Sequence, residues 1–337
     1  MNNELNLALV GASGVVGQKI IQLLEKKNFQ VNNFYPLGKS SVGDEVSLMN
    51  QTYVIDDVDL FDATKANLII LAAGSSVAQK HARNFVSAGA YVIDLSSEFR
   101  YEEDVPLIIP EINGEILREL TKPSLIANPN CSTSQLLMAL KPIHENFNIK
   151  FLNIATYQAV SGTGKEAVEE LKEQTINPSA EAKVYPKKIA FNALPQCDIF
   201  LDNDFTKEEM KLVWETKKIL DNEIDVQATC VRVPVKNGHS EAVFLKIDKN
   251  ADREAIINSL SDLKGVCVMD DPSNLVYPTP LEQANDSEDV YVGRVRSQII
   301  QGETWVSLWI VADNVYGKGA ALNAVQIAEN LLEHNKL

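Results

Sequence analysis

The chain of 337 residues has no long apolar run. The longest clear one, residues 68–73, falls far short of the ~18 residues a membrane span needs, so neither a span nor a membrane partner is expected. The opening "MNNELNLALVG" lacks both the basic and the apolar segment of a secretory signal, and a cytoplasmic location is expected. Positive charge is scarce. Lys and Arg number 31 against 46 Asp and Glu, a formal net charge of −15, which argues against a nucleic-acid surface. An anionic small-molecule substrate would therefore have to meet a local cluster of Arg and Lys. Cysteine is scarce too. Cys131, Cys197, Cys230 and Cys267 form no CxxC pair and no metal-like Cys/His spacing, so thiols in a reducing compartment are expected, and no metal site. There is no internal repeat and no low-complexity tract.

What is present is an ordinary globular composition, 45% hydrophobic and 23% charged, on a chain long enough for two domains. "LNLALVGASGVVGQKIIQLLEKKNF" predicts strand, glycine turn and helix. "NLIILAAG" (67–74), "YVIDLSSEFR" (91–100) and "SLIANPNC" (124–131) predict further buried strands, with helical patterns such as 77–88 between them. Strands alternating with helices imply an α/β fold with a Rossmann-like, doubly wound parallel sheet. Beyond residue 131 the texture changes. Residues 151–164, 226–235, 239–247 and 303–313 predict strands, and 165–175 and 206–220 predict helices. Together they suggest a second α+β domain with a mixed or mostly antiparallel sheet. Residues 176–197 read as a loop excursion. The expected division is 1–130, completed by a C-terminal helix in 314–337, and 131–313.

Gly11, Gly14 and Gly17 follow a strand and open a helix. Glycines there permit a tight turn and a close approach of a pyrophosphate to the helix N-terminus, so Gly11, Ser13, Gly14, Val15 and Gly17 are candidate cofactor-binding residues. The alternative is a helix-packing turn without a ligand. After the next strand, "FYPLGKSSVG" offers Lys39, Ser40 and Ser41 where an NAD site would show a carboxylate. A cation and hydroxyls suit a 2′-phosphate, so NADP is favoured; Lys39 taken singly also reads as a solvated loop lysine.

"NPNCST" puts Cys131 at a strand-to-helix junction, where a helix N-terminus lowers a thiol pKa and supplies oxyanion donors. Its polar flanks argue against a purely structural cysteine, the reading preferred for Cys197 and Cys267. A nucleophile of this kind needs a proton partner. His81, His144 and His334 read as surface residues. His239 opens a strand after the turn "KNG" and is the candidate.

In order, "GASGVVG", "SSEFR", "NPNCST", "YQAVSGTG", "CVRVPVKNGHSEAV" and "VADNVYGKGAALNAVQIAENLL" resemble aspartate-β-semialdehyde dehydrogenase over nearly the whole chain. The resemblance implies NADPH-dependent reductive dephosphorylation of L-β-aspartyl phosphate to L-aspartate-4-semialdehyde, on the route to lysine, threonine and methionine. It implies Cys131 as nucleophile, His239 as acid/base and Gln158 as the residue orienting the substrate. It further implies Arg232 on the substrate α-carboxylate, Glu208 on its ammonium, and Lys211, Arg100 and Asn130 at the phosphate. Ser161, Gly162 and Asn314 are implied on the cofactor side. Strands such as 226–235 and 303–313, rich in Val, Ile, Leu and Trp, have one sheet face that helices 165–175 and 206–220 leave uncovered, so a homodimer through the second domain is expected; the resemblance implies the same, with homotetramers among some members. Without the resemblance, Glu208 and Lys211 read as an i,i+3 surface pair. N-acetyl-γ-glutamyl-phosphate reductase is the rival of like chemistry, disfavoured by Asn130 and Ser132 flanking the cysteine. A non-catalytic NADP-binding sensor is the rival of another class.

Overall fold

The computed structural model describes residues 4–337; the part of the N-terminal signal reading that falls on residues 1–3 lies outside the described residues. The chain forms two compact units. One runs to Pro129 and resumes at Ala320–Leu337; the other is Asn130–Gly319.

In the first unit, β1 (Asn6–Val10) leads through the glycine turn into α1 (Val15–Lys26). There follow β2 (Asn33–Gly38), β3 (Glu45–Leu48), β4 (Gln51–Val54), β5 (Asp56–Asp57) and β6 (Leu68–Leu71). Next come α2 (Ser75–Ser87), β7 (Tyr91–Asp94), two single-turn helices α3 (Pro110–Asn113) and α4 (Ile116–Glu119), and β8 (Leu125–Ala127). Six strands pair in parallel in the order β5-β2-β1-β6-β7-β8, while β3 and β4 form a separate antiparallel pair. The uninterrupted apolar runs follow from this. Leu7, Ala8, Leu9, Leu68, Ile69 and Ile70 are wholly buried, as strands covered on both faces must be. The order reverses at β1, flanked by β2 and β6, so the turn after β1 sits at a topological switch point, where open α/β sheets bind ligands.

The second unit opens with α5 (Cys131–Phe147) and β9 (Ile149–Gln158), then α6 (Lys165–Ile176). Residues 177–206 carry no helix or extended strand. α7 (Lys207–Ile219), β10 (Asp225–Arg232), β11 (His239–Ile247), α8 (Arg253–Ser261), β12 (Val266–Val268), α9 (Pro280–Gln283), β13 (Val290–Ile300) and β14 (Glu303–Ala312) complete it. The sheet order is β10-β9-β11-β14-β13-β12, with β10/β9 and β12/β13 parallel and the other pairs antiparallel. β13 was not anticipated. It turns into β14 through Gln301 (φ 52°) and Gly302 (φ 83°), the two positive φ values of a tight hairpin.

Strand alternation gives this sheet two different faces. Leu152, Ile154, Val243, Leu245, Val306 and Ile310 are buried on one, against which α5 packs with Leu136, Leu137, Leu140 and Ile143 at zero exposure. Each such side chain contributes about 1.5–3 kcal/mol. The other face carries Phe151, Tyr157, Phe244, Trp305 and Trp309, with Phe244 stacked on Trp305 at 4.7 Å and Tyr157 tilted against Trp309 at 5.5 Å. The chain then returns to the first unit as α10 (Ala321–Glu333). This helix packs on α1, and its Asn323 donates to the Ile108 carbonyl (2.9 Å) and to Asn128 Oδ1 (2.8 Å).

Candidate active site

The centre of the second unit's site is the start of α5. Asn130 is its N-cap: the side-chain oxygen accepts from the backbone N–H of Ser132 (2.9 Å) and Thr133 (3.3 Å). Cys131 is therefore the first helical residue, half-buried at the positive end of a 17-residue helix. The other cysteines differ. Burial pushes the Cys197 thiol up to about 12 and drives Cys230 higher still, so both are inert. Cys267, expected to be buried, is only partly so.

Three side chains line up beside one another on the inner face of the sheet. Arg232 closes β10 and pairs in register with Gln158, which closes β9. Ser240 pairs with Tyr157, so His239, at the start of β11, continues the row. Gln158 Nε2 donates to Ser132 Oγ (3.0 Å), on the first turn of α5, and to Glu208 Oε1 (3.1 Å). The Arg232 guanidinium donates to the Ala159 carbonyl (2.7 Å), while its Nε is buried without a partner. His239 Nδ1 accepts from the Ala159 N–H (3.1 Å). That bond assigns the ring proton of the neutral imidazole to Nε2, an atom that is buried and has no partner. Burial, reinforced by Arg232, pushes the His239 pKa down to about 3, so the ring is neutral at physiological pH and presents a donor.

The turn after β9 closes over this row. A Cβ at Gly162 would stand 3.1 Å from Arg232 Nη1 and from His239 Cε1 and Nε2, so only glycine leaves that space open. Ser161 Oγ bonds Asn314 Oδ1 (3.1 Å), which also accepts from the Gly238 N–H (3.0 Å).

α7 supplies the charges. Glu208 Oε1 accepts from Asn130 Nδ2 (3.0 Å) as well as from Gln158, and Oε2 pairs with Lys211 at 2.8 Å. Burial opposes ionisation of Glu208, but Lys211 and these amides outweigh it and hold the carboxyl down to about 2. Lys211 also binds Asp198 (2.8 Å), and its pKa is raised by the two carboxylates against the pull of burial. The pair is thus a buried ionic network, not the exposed surface pair that residue spacing alone suggested. Three partners were not anticipated: Ser132, Asp198 and Glu215, whose Oε2 accepts the Asn130 N–H at 2.7 Å. Only Ser132 had a signal in the sequence, its place next to the cysteine.

The first unit carries its own candidate residues. Gly11 (φ 82°) bonds the Leu37 carbonyl at 2.8 Å, and a Cβ at Gly17 would stand 2.2 Å from the Gly11 carbonyl, so the turn tolerates no side chain there. Ser13, Gly14 and Val15 are exposed, and no side chain caps α1. Uncapped N–H groups on a glycine cradle fit a dinucleotide pyrophosphate. Lys39, Ser40 and Ser41 follow β2, and Lys39 pairs with Asp57 (3.5 Å) and with Asp59. Lys80 (2.6 Å) and His81 Nε2 (2.9 Å) also meet Asp59; His81 is buried there, not at the surface as expected. His144 is half-buried, accepting from the Ile149 N–H (3.2 Å), and His334 meets Arg118 (3.1 Å). Arg100 is buried, its guanidinium donating to the carbonyls of Asn128 (2.9 Å) and Leu95 (3.0 Å). Among the described residues no helix is long and apolar enough to cross a membrane.

Comparison with known proteins gives these arrangements a context. The family model for "Semialdehyde dehydrogenase, NAD binding domain" matches residues 6–120, and that for "Semialdehyde dehydrogenase, dimerisation domain" matches residues 140–316. The chain is 48% identical to an aspartate-semialdehyde dehydrogenase of Shewanella violacea over 98% of its length and 99% of that protein's. It superposes on an aspartate semialdehyde dehydrogenase II of Vibrio cholerae, complexed with ASA, with a TM-score of 0.94 and 41% identity, covering 98% and 99% of the two chains. A Candida albicans aspartate semialdehyde dehydrogenase with NADP aligns at a TM-score of 0.78 and 26% identity, covering 99% and 100%. The chain belongs to the aspartate-semialdehyde dehydrogenase family, as an oxidoreductase with a nicotinamide-cofactor domain and a dimerisation domain.

Proposed function

We propose that this enzyme reduces L-β-aspartyl phosphate to L-aspartate-4-semialdehyde through a thioester on Cys131, with NADPH preferred over NADH. The Cys131 thiolate, favoured at the start of α5, attacks the acyl carbonyl, and phosphate leaves. NADPH, when bound, supplies the hydride that reduces the thioester; the aldehyde leaves as its C–S bond to Cys131 breaks and the thiolate is restored. His239 presents Nε2–H to the oxygen on which negative charge develops, and Gln158 holds the acyl group beside the first turn of α5. Arg232 takes the α-carboxylate, to which its planar fork is matched. Glu208, anionic by its low pKa, takes the ammonium. Lys211, Arg100 and Asn130 receive the phosphate. Ser161, Gly162 and Asn314 border the nicotinamide, while Gly11, Ser13, Gly14, Val15 and Gly17 take the pyrophosphate.

The observation that carries the reading is the single row Arg232, Gln158 and His239, joined through Gln158 to the first turn of α5. It joins a cation for a carboxylate, an amide and a neutral donor to the thiol's own helix. The NADP preference rests on Lys39, Ser40 and Ser41, where a 2′-phosphate would compete with Asp59 for Lys39. We further propose a cytoplasmic enzyme with residues 131–313 as its catalytic and dimerisation domain, homodimeric through that domain, with a homotetramer as the larger assembly. The test is NADP reduction by aspartate semialdehyde plus phosphate, run beside N-acetylglutamate semialdehyde. Phosphate-dependent turnover of the first alone, lost in Cys131→Ala with NADPH binding retained, is expected. Turnover of the second alone, or residual turnover in Cys131→Ala, would overturn the reading.

A further inference from the structure

One buried acid beside this site has no part in the steps above. The backbone N–H of an N-cap residue is commonly held by a Glu or Gln at the third helical position, the reciprocal half of a capping box. α7 is built that way: the Thr206 N–H donates to Glu209 Oε2 at 2.7 Å, and the Glu209 N–H donates to Thr206 Oγ1 at 3.2 Å. α5 differs. Its third residue is Thr133, whose hydroxyl is buried and has no hydrogen-bond partner among the described residues. The Asn130 N–H donates instead to Glu215 Oε2 at 2.7 Å, and Glu215 has zero exposure. The cap of the helix that carries Cys131 is therefore completed from another helix.

Glu215 follows Glu208 on α7 by close to two helical turns, so the two lie on the same face. Glu208 Oε1 accepts from the Asn130 side chain at 3.0 Å, as Glu215 accepts from its backbone. One helix thus grips one residue at two points. Either bond alone would permit rotation about its own axis; the pair fixes the orientation of Asn130. The other polar groups of Asn130 are engaged within α5. Its Oδ1 accepts from the N–H of Ser132 and Thr133, and its carbonyl accepts from the N–H (2.9 Å) and hydroxyl (3.0 Å) of Ser134. Cys131 is the next residue, so the direction of its side chain follows from that of Asn130.

We propose that Glu215 is a positioning residue: by holding the Asn130 N–H it sets the start of α5, and with it the Cys131 thiol, in register with the substrate-binding groups that α7 itself carries. An apolar side chain at this position would be buried at lower cost. A Glu at the third position of α5 would cap that helix locally but would leave it untied to α7. What the distant acid adds is a fixed relation between the nucleophile's helix and the Glu208–Lys211 pair. That relation matters because a misplacement of about 1 Å can cost on the order of a hundredfold in rate.

The proposal rests on Cys131 being the nucleophile of the reaction assigned above. Its test is kcat and KM with aspartate semialdehyde, phosphate and NADP in the full-length enzyme, beside the pH profile of Cys131 alkylation by iodoacetamide, for E215Q, E215D and E215L. E215Q keeps an oxygen for the N–H but is not an acid. E215D keeps the acid but draws it back by one methylene, and E215L removes both. The charged groups of the site, Glu208, Lys211 and Arg232, are the same in all three. E215Q is expected to keep kcat within about twofold and the alkylation profile unchanged. E215D and E215L are each expected to lower kcat about tenfold or more, with KM for NADP within about twofold. In both, alkylation of Cys131 should slow and its profile move to higher pH, as the thiol loses its place at the helix start. Native kcat in E215D, or a tenfold loss in E215Q, would overturn the proposal, as would a lower Tm in E215L with kcat and alkylation unchanged. Should E215L fail to fold, the contrast between E215D and E215Q still decides it. Absent turnover in the unmodified enzyme, or turnover retained in Cys131→Ala, would instead defeat the assigned reaction.

Discussion

At the scale of single residues, two buried ionisable groups on β11 pull stability in opposite directions with pH. His239 is held at about 3, against an ordinary value near 6.5, so the unfolded chain binds the extra proton. Its contribution is full above about 6.5 and is lost as the pH falls toward 3. Glu241 is raised well above its ordinary value by burial, so here the native state binds the extra proton. Its contribution is full below about 4.5 and declines as the pH rises. E241Q removes the second effect alone. It should raise Tm at pH 8 and leave it unchanged near pH 4, and thermal melts at the two values check this. Lys211 gives a further prediction. Lys211→Met strands Glu208 as a buried anion and should cost about 3 kcal/mol in denaturant unfolding, whereas a surface pair would cost under about 1. These cases mark what was legible in the letters. Cys131 and His239 stood out through their neighbours, a predicted helix start and a predicted strand start. Glu241, Asp198 and Glu215 did not, because among 46 acidic residues nothing local distinguishes the few that the fold encloses.

At the scale of elements, the start of α5 does two jobs through Asn130, which caps the helix and donates to Glu208. Asn130→Ala should cost about 1 kcal/mol from the cap, while Asn130→Ser should keep the cap and lose the donor without adding a charge beside Glu208. Denaturant melts of the two variants separate the roles: equal destabilisation would mean that the cap contributes nothing. Gly162→Ala tests the turn over the row. The added methyl meets Arg232 and His239, so kcat/KM should fall about tenfold or more with little change in Tm, measured by steady-state kinetics and melting. The periodic helices and the fully buried strands were legible, because burial on both faces writes an unbroken apolar run. β13 was not. Its outer half, Arg294 to Ile300, is largely exposed and keeps no regular polar/apolar alternation, so its pairing is fixed by the hairpin to β14 and not by an apolar core stripe.

At the scale of the molecule, the second unit matches a dimerisation domain, and the surface we propose for pairing is the aromatic outer face of its sheet. Phe244→Asp should convert the dimer to monomer in sedimentation at micromolar concentration, and Val15→Glu, in the first unit's turn, should not. The two-unit plan was legible from the change in strand texture after residue 131, and an uncovered apolar sheet face from the length of the second domain's strands; which aromatic side chains make that face was not, because they come from three strands that only the fold brings together.

The first unit is also discontinuous, since α10 returns to α1 after the whole second unit has been made. Protein synthesis is vectorial, and this arrangement sets an order on it. Residues 130–319 are a continuous segment and can reach their own core without α10. The β1–β8 sheet must wait, with part of its apolar surface uncovered, for the last helix to leave the ribosome. A released chain truncated after residue 319 should therefore resist protease across the second unit and be cut within the first, and restoring residues 320–337 should close the first unit without any change in the second.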